Sequence, residues 1–175
     1  AGDMVVLGWN ATNDTVTFAT LVNLPAGTVI KITDWGWNAT GDAFAGSTTG
    51  DGLITWTTSS SINAGAIFNL FLGGTGDAQT TTLTNVTTST DLTADIAITG
   101  YSVSDPMNLA GDSIFIYQDA DNNPYFIFGI NNSGGTNIDA NNWNTPASFS
   151  SVRATRGLAR MRSARKCVSS TAVRP

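Results

Sequence analysis

The chain has 175 residues, 41% of them hydrophobic and 12% charged, with 13 acidic and 8 basic side chains for a formal net charge of −5. That length suits one domain with a core of its own, and no apolar run approaches the roughly 20 residues of a membrane-spanning helix, so no transmembrane segment is expected. Every acid is Asp, His is absent and Cys occurs once, which excludes imidazole-built metal sites, thiolate clusters, and Ser-His-Asp or Cys-His nucleophilic chemistry.

With no Glu and two lysines, long soluble helices lack their usual formers, whereas Thr, Val, Ile, Asn and Gly favour strands joined by polar turns. Residues 4–9 read as a first strand, closed by the polar run 10–14. Residues 15–24 alternate, with Val16, Phe18, Val22 and Leu24 on one face, as in a strand with one face in a core and the other wet. Pro25-Ala26-Gly27 makes a turn into a strand at 28–33, where Ile30 and Ile32 oppose Val29, Lys31 and Thr33. After Asp34-Trp35-Gly36-Trp37-Asn38 comes a Gly/Thr-rich loop running through Gly52, long enough to suggest a functional or mobile segment.

A strand follows at 53–57, a turn at 59–65, and a nearly continuous apolar run at 66–72, expected to be a central strand buried on both faces. Two Thr-rich segments, 80–84 and 95–99, read as short strands on an outer edge. Residues 105–108 make a turn, and 112–118 with 125–130 form the clearest hairpin, with a tip of turn formers at 119–124. No helix longer than two turns is expected before residue 150. The fold class is all-β: a two-sheet antiparallel sandwich of Ig-like or jelly-roll style over residues 1–149.

Residues 150–175 form an atypical basic tail. Residues 1–152 hold all 13 Asp and one Lys, for −12, whereas 153–175 hold seven basic residues and no acid, for +7. Arg153, Arg156, Arg160, Arg162 and Arg165 are the candidate assembly contacts of this tail, which would be disordered, helical over 152–166, or packed on a neighbour. Three origins compete: a basic arm for nucleic acid or anionic lipid, a segment that folds onto an acidic body, and an out-of-frame or foreign extension with no selected role. The third is favoured, since the tail shares neither the composition nor the strand pattern of the body. Nucleic acid is not an expected partner, because the acidic body repels phosphate.

No enzyme is expected. The one conventional mechanism left would need two Asp carboxylates with opposed pKa shifts, and no spacing nominates them. No cofactor is expected either, with calcium the only ion that has candidate ligands. Asp119, Asp121 and Asn123 alternate as in a tight cation loop, although Pro124 follows where such a loop would have Gly and no Glu closes it. Their simpler role is to end strands and cap a hairpin. For carbohydrate, Trp35 and Trp37 offer ring faces, and Asp34, Asp42 and Asp51 offer hydrogen-bond groups. Core packing or loop pinning is the commoner use of such tryptophans, and Trp56, mid-strand, reads as core.

Several spaced motifs carry a family resemblance: Ala1-Gly2-Asp3, Leu24-Pro25-Ala26-Gly27-Thr28, Thr33-Asp34-Trp35-Gly36-Trp37-Asn38, Gly52-Leu53-Ile54-Thr55-Trp56-Thr57, Gly111-Asp112-Ser113-Ile114-Phe115-Ile116-Tyr117 and Phe126-Ile127-Phe128-Gly129-Ile130-Asn131. Over residues 1–145 the chain resembles secreted β-sandwich modules of bacterial cell-surface proteins, of lamin-tail-like style. The resemblance implies a β-sandwich in large extracellular or cell-surface proteins, and it carries no catalytic residues to transfer; the expected role of the chain is a non-catalytic structural or assembly module. Departure from the pattern after about Phe149 would leave a sandwich edge open to a neighbouring strand. The expected setting is extracellular or on the cell surface, after removal of a signal peptide, in keeping with a start at small residues, few lysines and a pI near 4.3. The expected partners are copies of the chain or other surface proteins, joined by strand association, with a surface filament as the extreme case. The alternative is a calcium- or carbohydrate-binding adhesion module, with glycans as partners.

Overall fold

The computed structural model describes residues 2–10, 12–38, 43–44, 52–73, 81–100, 113–120 and 123–131. Two five-stranded antiparallel sheets face each other. In chain order the strands are β1 (Met4–Asn10), β2 (Thr15–Thr20), β3 (Val29–Thr33), β4 (Trp37–Asn38), β5 (Ala43–Phe44), β6 (Gly52–Thr57), β7 (Ile67–Phe71), β8 (Thr82–Asn85), β9 (Thr90–Asp91), β10 (Ile96–Gly100), β11 (Ser113–Ala120) and β12 (Asn123–Asn131). The first sheet runs β1-β2-β7-β8-β9 and the second β10-β6-β3-β11-β12, while β4 and β5 form a separate two-stranded ribbon. The all-β two-sheet sandwich expected from composition is the observed architecture. The only helical piece among the described residues is a 3₁₀ turn at Thr93–Asp95, and no helix among them is long and apolar enough to cross a membrane.

The inward faces supply the core: Val16 and Phe18 from β2, Phe68 and Leu70 from β7, Leu83 from β8, Ile30 and Ile32 from β3, Ile54 and Trp56 from β6, and Ile114 and Ile116 from β11. Period-two alternation brings these residues to one side of each strand. At the centre Phe68 stacks on Phe18 at 5.3 Å and lies 4.9 Å from Trp56, so three rings from three strands fill the middle of the layer.

Among the described residues three crossovers join the sheets, β2 to β3, β6 to β7 and β9 to β10 through the 3₁₀ turn, and the first two are near copies of each other. The chain leaves β2 through Leu24-Pro25-Ala26-Gly27-Thr28 to enter β3, and leaves β6 through Ile62-Asn63-Ala64-Gly65-Ala66 to enter β7. Leu24 and Ile62 exchange both backbone hydrogen bonds at 2.8 Å. Around them the pattern is reciprocal. Gly65 N–H donates to Thr20 O and Gly27 N–H to Thr58 O, each at 2.7 Å, while Thr20 N–H donates to Ala66 O (3.1 Å) and Thr58 N–H to Thr28 O (3.0 Å). Both turns close through a glycine of positive φ, +79° at Gly27 and +86° at Gly65, a backbone region that side-chain-bearing residues rarely adopt.

Several local expectations are corrected. The strand expected over 15–24 ends at Thr20, because the Thr20 hydroxyl donates to Val22 O (2.6 Å) and turns the chain. Val22 is therefore exposed, and Leu24 reaches the core from the crossover. The run 66–72 is central in its sheet, yet β7 buries one face only: Phe68 and Leu70 are enclosed, whereas Ile67, Asn69 and Phe71 are half-buried. The strand buried on both faces is β11, whose residues 113–117 are all enclosed. Of the two Thr-rich segments, β10 is an edge, but β8 lies between β7 and β9. The turn expected at 105–108 and the whole tail 150–175 lie outside the described residues.

Truncating Trp56 to Ala should cost about 3–5 kcal/mol, the usual range for a large enclosed aromatic. Gly27→Ala and Gly65→Ala should each cost on the order of 1 kcal/mol, although nothing lies within 4 Å of an added Cβ at either site. Urea unfolding midpoints test both expectations, and unaltered stability in the glycine variants would remove the crossover turns from any part in stability.

Candidate functional site

On the outer face of the second sheet, opposite the sandwich core, lies a second cluster built from Trp37, Phe115, Tyr117 and Phe126, with Phe44 and Leu53 packed on it. Two local features create it. Along β11, Ile114 and Ile116 point inward, so Phe115 and Tyr117 point out. In β12, one extra residue at Ile127 shifts the register, so that Phe128 pairs with Ile116 and Phe126 with Tyr117. This bulge turns Phe126 to the outer cluster while Phe128 stays on the inner one.

The β4–β5 ribbon covers these rings. Phe44 is the hub, with centroids 6.4 Å from Trp35, 5.1 Å from Trp37, 5.6 Å from Phe115, 5.0 Å from Tyr117 and 5.8 Å from Phe126. Trp37 also meets Phe126 edge-on at 4.8 Å. Sequence reasoning missed Phe44 because a single aromatic in a Gly/Thr-rich stretch has no periodicity. Its only signal was being the sole large apolar residue between Trp37 and Leu53.

The carbohydrate candidates are distributed as follows. Trp37 is 3% exposed, its ring enclosed by the cluster, whereas Trp35 is half-buried beside Phe44. Asp34 is 1% exposed and its Oδ1 accepts the Gly52 N–H at 2.7 Å. The Thr33 hydroxyl donates to Gly52 O (2.6 Å) and accepts from Trp35 N–H (3.1 Å). Thr33 and Asp34 thus hold the two ends of the 34–52 segment together. Asp42 and Asp51 lie outside the described residues.

Of the calcium candidates, Asp119 stands near the end of β11 and forms an ion pair with Lys31 of β3. The Lys31 ammonium also lies 6.0 Å from the centroid of the Tyr117 ring. Asp121 lies outside the described residues, as does the Asn123 side chain, although the Asn123 backbone opens β12 opposite Ala120. Among the described residues no three acidic or thiol groups gather as a metal-binding set. Arg153, Arg156, Arg160, Arg162 and Arg165 lie outside the described residues.

Two clefts open among the described residues. One of about 390 Å³ is lined by Ser61, Asn63, Asn85, Thr87, Thr88 and Thr90 among others, with no ionisable side chain. Its polar atoms serve the turns: Asn85 Oδ1 accepts Thr88 N–H (3.2 Å), Thr87 Oγ1 accepts Ile67 N–H (2.9 Å), and the Thr88 and Thr90 hydroxyls bond at 2.9 Å. The other, about 250 Å³, has Asp3 as its only ionisable lining group. Neither cleft brings two carboxylates together.

The four sheet edges differ. β1 carries a bulge at Leu7 between its Val6 and Gly8 pairings, and β12 a bulge at Ile127. These two edges adjoin, with Gly2 N–H donating to Ile127 O at 3.0 Å. β9 has two residues. β10 runs in unbroken register along β6, from Ile96 opposite Trp56 to Gly100 opposite Gly52, and Ile98 at its middle is 45% exposed. Comparison with protein families, with curated proteins and with solved structures finds no match for this chain.

Two titrations stand out. The Thr93 hydroxyl, and after it the Thr93 N–H, bond the Asp91 carboxylate and hold its pKa below the ordinary value. Burial, reinforced by the nearby Asp119 charge, raises the Tyr117 phenol above its ordinary value near 10. Above about pH 10 the unfolded phenol loses its proton while the folded one keeps it, so stability falls as pH rises toward the folded value. Urea midpoints at about pH 8 and about pH 11 should therefore separate more in the wild type than in Tyr117→Phe. Equal separation in the two proteins would show that Tyr117 does not govern alkaline unfolding.

Proposed function

We propose that this chain is a non-catalytic module of the extracellular or cell-surface space that works by strand association with copies of itself or with other surface proteins. The observation that carries the reading is the contrast among edges. An unpaired strand edge is a template for another chain, and proteins ordinarily blunt it with bulges, short strands, charge or cover. β1 and β12 are bulged and β9 is two residues long, whereas β10 is regular, uncharged over its five residues and exposes Ile98. Strand addition needs that kind of edge: main-chain hydrogen bonds supply affinity and alternate side chains supply specificity.

The resemblance of the motifs to secreted, lamin-tail-like modules supports the extracellular or cell-surface setting in this reading. The adhesion alternative ranks second on physical grounds. A calcium ion at the β11–β12 tip would have to draw Asp119 away from Lys31, and a sugar stacked on Trp37 would have to displace the rings around it.

On the cells that naturally make the chain, antibody labelling should find it at the surface of intact cells. Replacing Ile98 by Lys puts a charge on the edge, and the variant should be shed into the medium several-fold more than the wild type. Its stability should change by less than about 1 kcal/mol, since Ile98 is only partly enclosed. Equal retention of the two chains would rule out attachment to other surface proteins through β10.

A further inference from the structure

We infer that β10 pairs with β10 of a second copy of this chain, in antiparallel register about a two-fold axis through Ile98, and that this pairing closes as a dimer. The inference rests on the strand-association reading and names its partner. An antiparallel pair of identical strands is isologous: each residue meets the one at the mirrored position. About Ile98, Ile96 faces Gly100 of the second copy, Ala97 faces its Thr99, and the two Ile98 side chains face each other. A bulky residue thus sits opposite the residue with no side chain. Ile96 and Ile98 share the face of their β6 partners Trp56 and Ile54, which are core residues. The pairing extends the inner apolar face across the junction and covers the exposed part of Ile98.

Charge is compatible with a second copy. No residue from Ile96 to Gly100 is ionisable, so no like charges oppose each other within the pair. The nearest acid is Asp95, one residue before the strand, its Oδ2 accepting from the Ser59 N–H and hydroxyl. In the two-fold register the Asp95 positions of the two copies lie at opposite ends, six residues apart along the pair. That spacing is about 20 Å, beyond the Debye length of about 8 Å at physiological salt. Closure follows from the other edges. A growing filament needs two different competent edges on each subunit, whereas one edge used isologously is consumed by the first partner. Among the described edges only β10 is both regular and longer than two residues.

Sedimentation of the full chain over a wide concentration range tests this. A monomer–dimer equilibrium with no larger species is expected, weakened at least tenfold by Ile98→Lys. In a Cys167→Ser background, Ile98→Cys should cross-link to a dimer on oxidation, since facing Cβ atoms in such a pair lie about 4.5–5.5 Å apart. Leu7→Cys, at a more exposed position on the bulged edge, should not. Affinity should hold or rise with added salt; a steep fall would move the association to the basic tail and overturn the inference. Growth beyond the dimer that Ile98→Lys abolishes would overturn closure while keeping strand association. A wild-type chain monomeric at every concentration, whose retention on cells still depends on Ile98, would overturn self-pairing and give the edge to another protein's strand. Cross-linking at Leu7 as fast as at Ile98 would overturn the assignment to β10.

Discussion

The Leu24–Ile62 crossing is the constraint on which the sandwich depends. Each of the two crossovers that meet there carries the chain from one sheet to the other, and each is pinned by the backbone of its counterpart. Because β2 pairs with β7 and β3 with β6, the crossovers interlock four strands as two pairs sharing one fastening. That fastening sets the register on both sides at once. Val16 and Phe18 of β2 stand to Ile54 and Trp56 of β6 as Ile30 and Ile32 of β3 stand to Phe68 and Leu70 of β7. A slip of one residue in any of the four strands would turn its core residues toward solvent and break the reciprocal bonds together. The three central rings therefore meet because of the backbone arrangement, and their packing in turn holds the sheets at that distance.

A second layer of packing is added on one side only. β11 carries apolar residues on both faces, and a strand of that kind is stable only if something covers its outer face. The ribbon supplies the cover, with Phe44 lying over rings from β11 and β12. Thr33 and Asp34 make this possible by bonding Gly52, so the ends of the segment that carries Phe44 stay beside each other on neighbouring strands. The tryptophans that look like a ligand platform in the sequence belong to this cover.

Legibility followed the range of the interaction. Strands such as β1, β3, β6 and the β11–β12 hairpin were readable because alternation and turn formers are local signals. The kinship of Leu24-Pro25-Ala26-Gly27 with Ile62-Asn63-Ala64-Gly65 was in plain view yet went unread, since only Ala and Gly are identical and their meaning lies in a contact between distant segments. The apolar content of 66–72 predicts double burial, yet double burial belongs to β11, because the outer cover that Phe44 of the 34–52 segment supplies lies over β11. The ion pair of Asp119 with Lys31 was hidden for the same reason: β3 and β11 are far apart in sequence and adjacent in the sheet. The bulges at Leu7 and Ile127, on which the contrast among edges turns, leave no mark in the hydropathy pattern.

The abundance of Thr and Asn has a physical use among the described residues. The side chains of Thr20, Thr28, Thr33, Thr58, Thr81, Thr87 and Thr93 each bond backbone groups, as do those of Asn10, Asn23 and Asn85. Main-chain groups at turns and strand ends must find partners once water is excluded, and this chain satisfies many of them with hydroxyls and amides. Side chains committed in this way are poor candidates for ligand capture, because each would have to release a backbone group first. The edge of β10 differs in kind. Its alternate N–H and C=O groups face away from β6, and a strand is the natural partner for groups so spaced. The described hydroxyls and amides serve the chain's own turns, and the strand-association proposal therefore draws on the backbone of β10 and not on them.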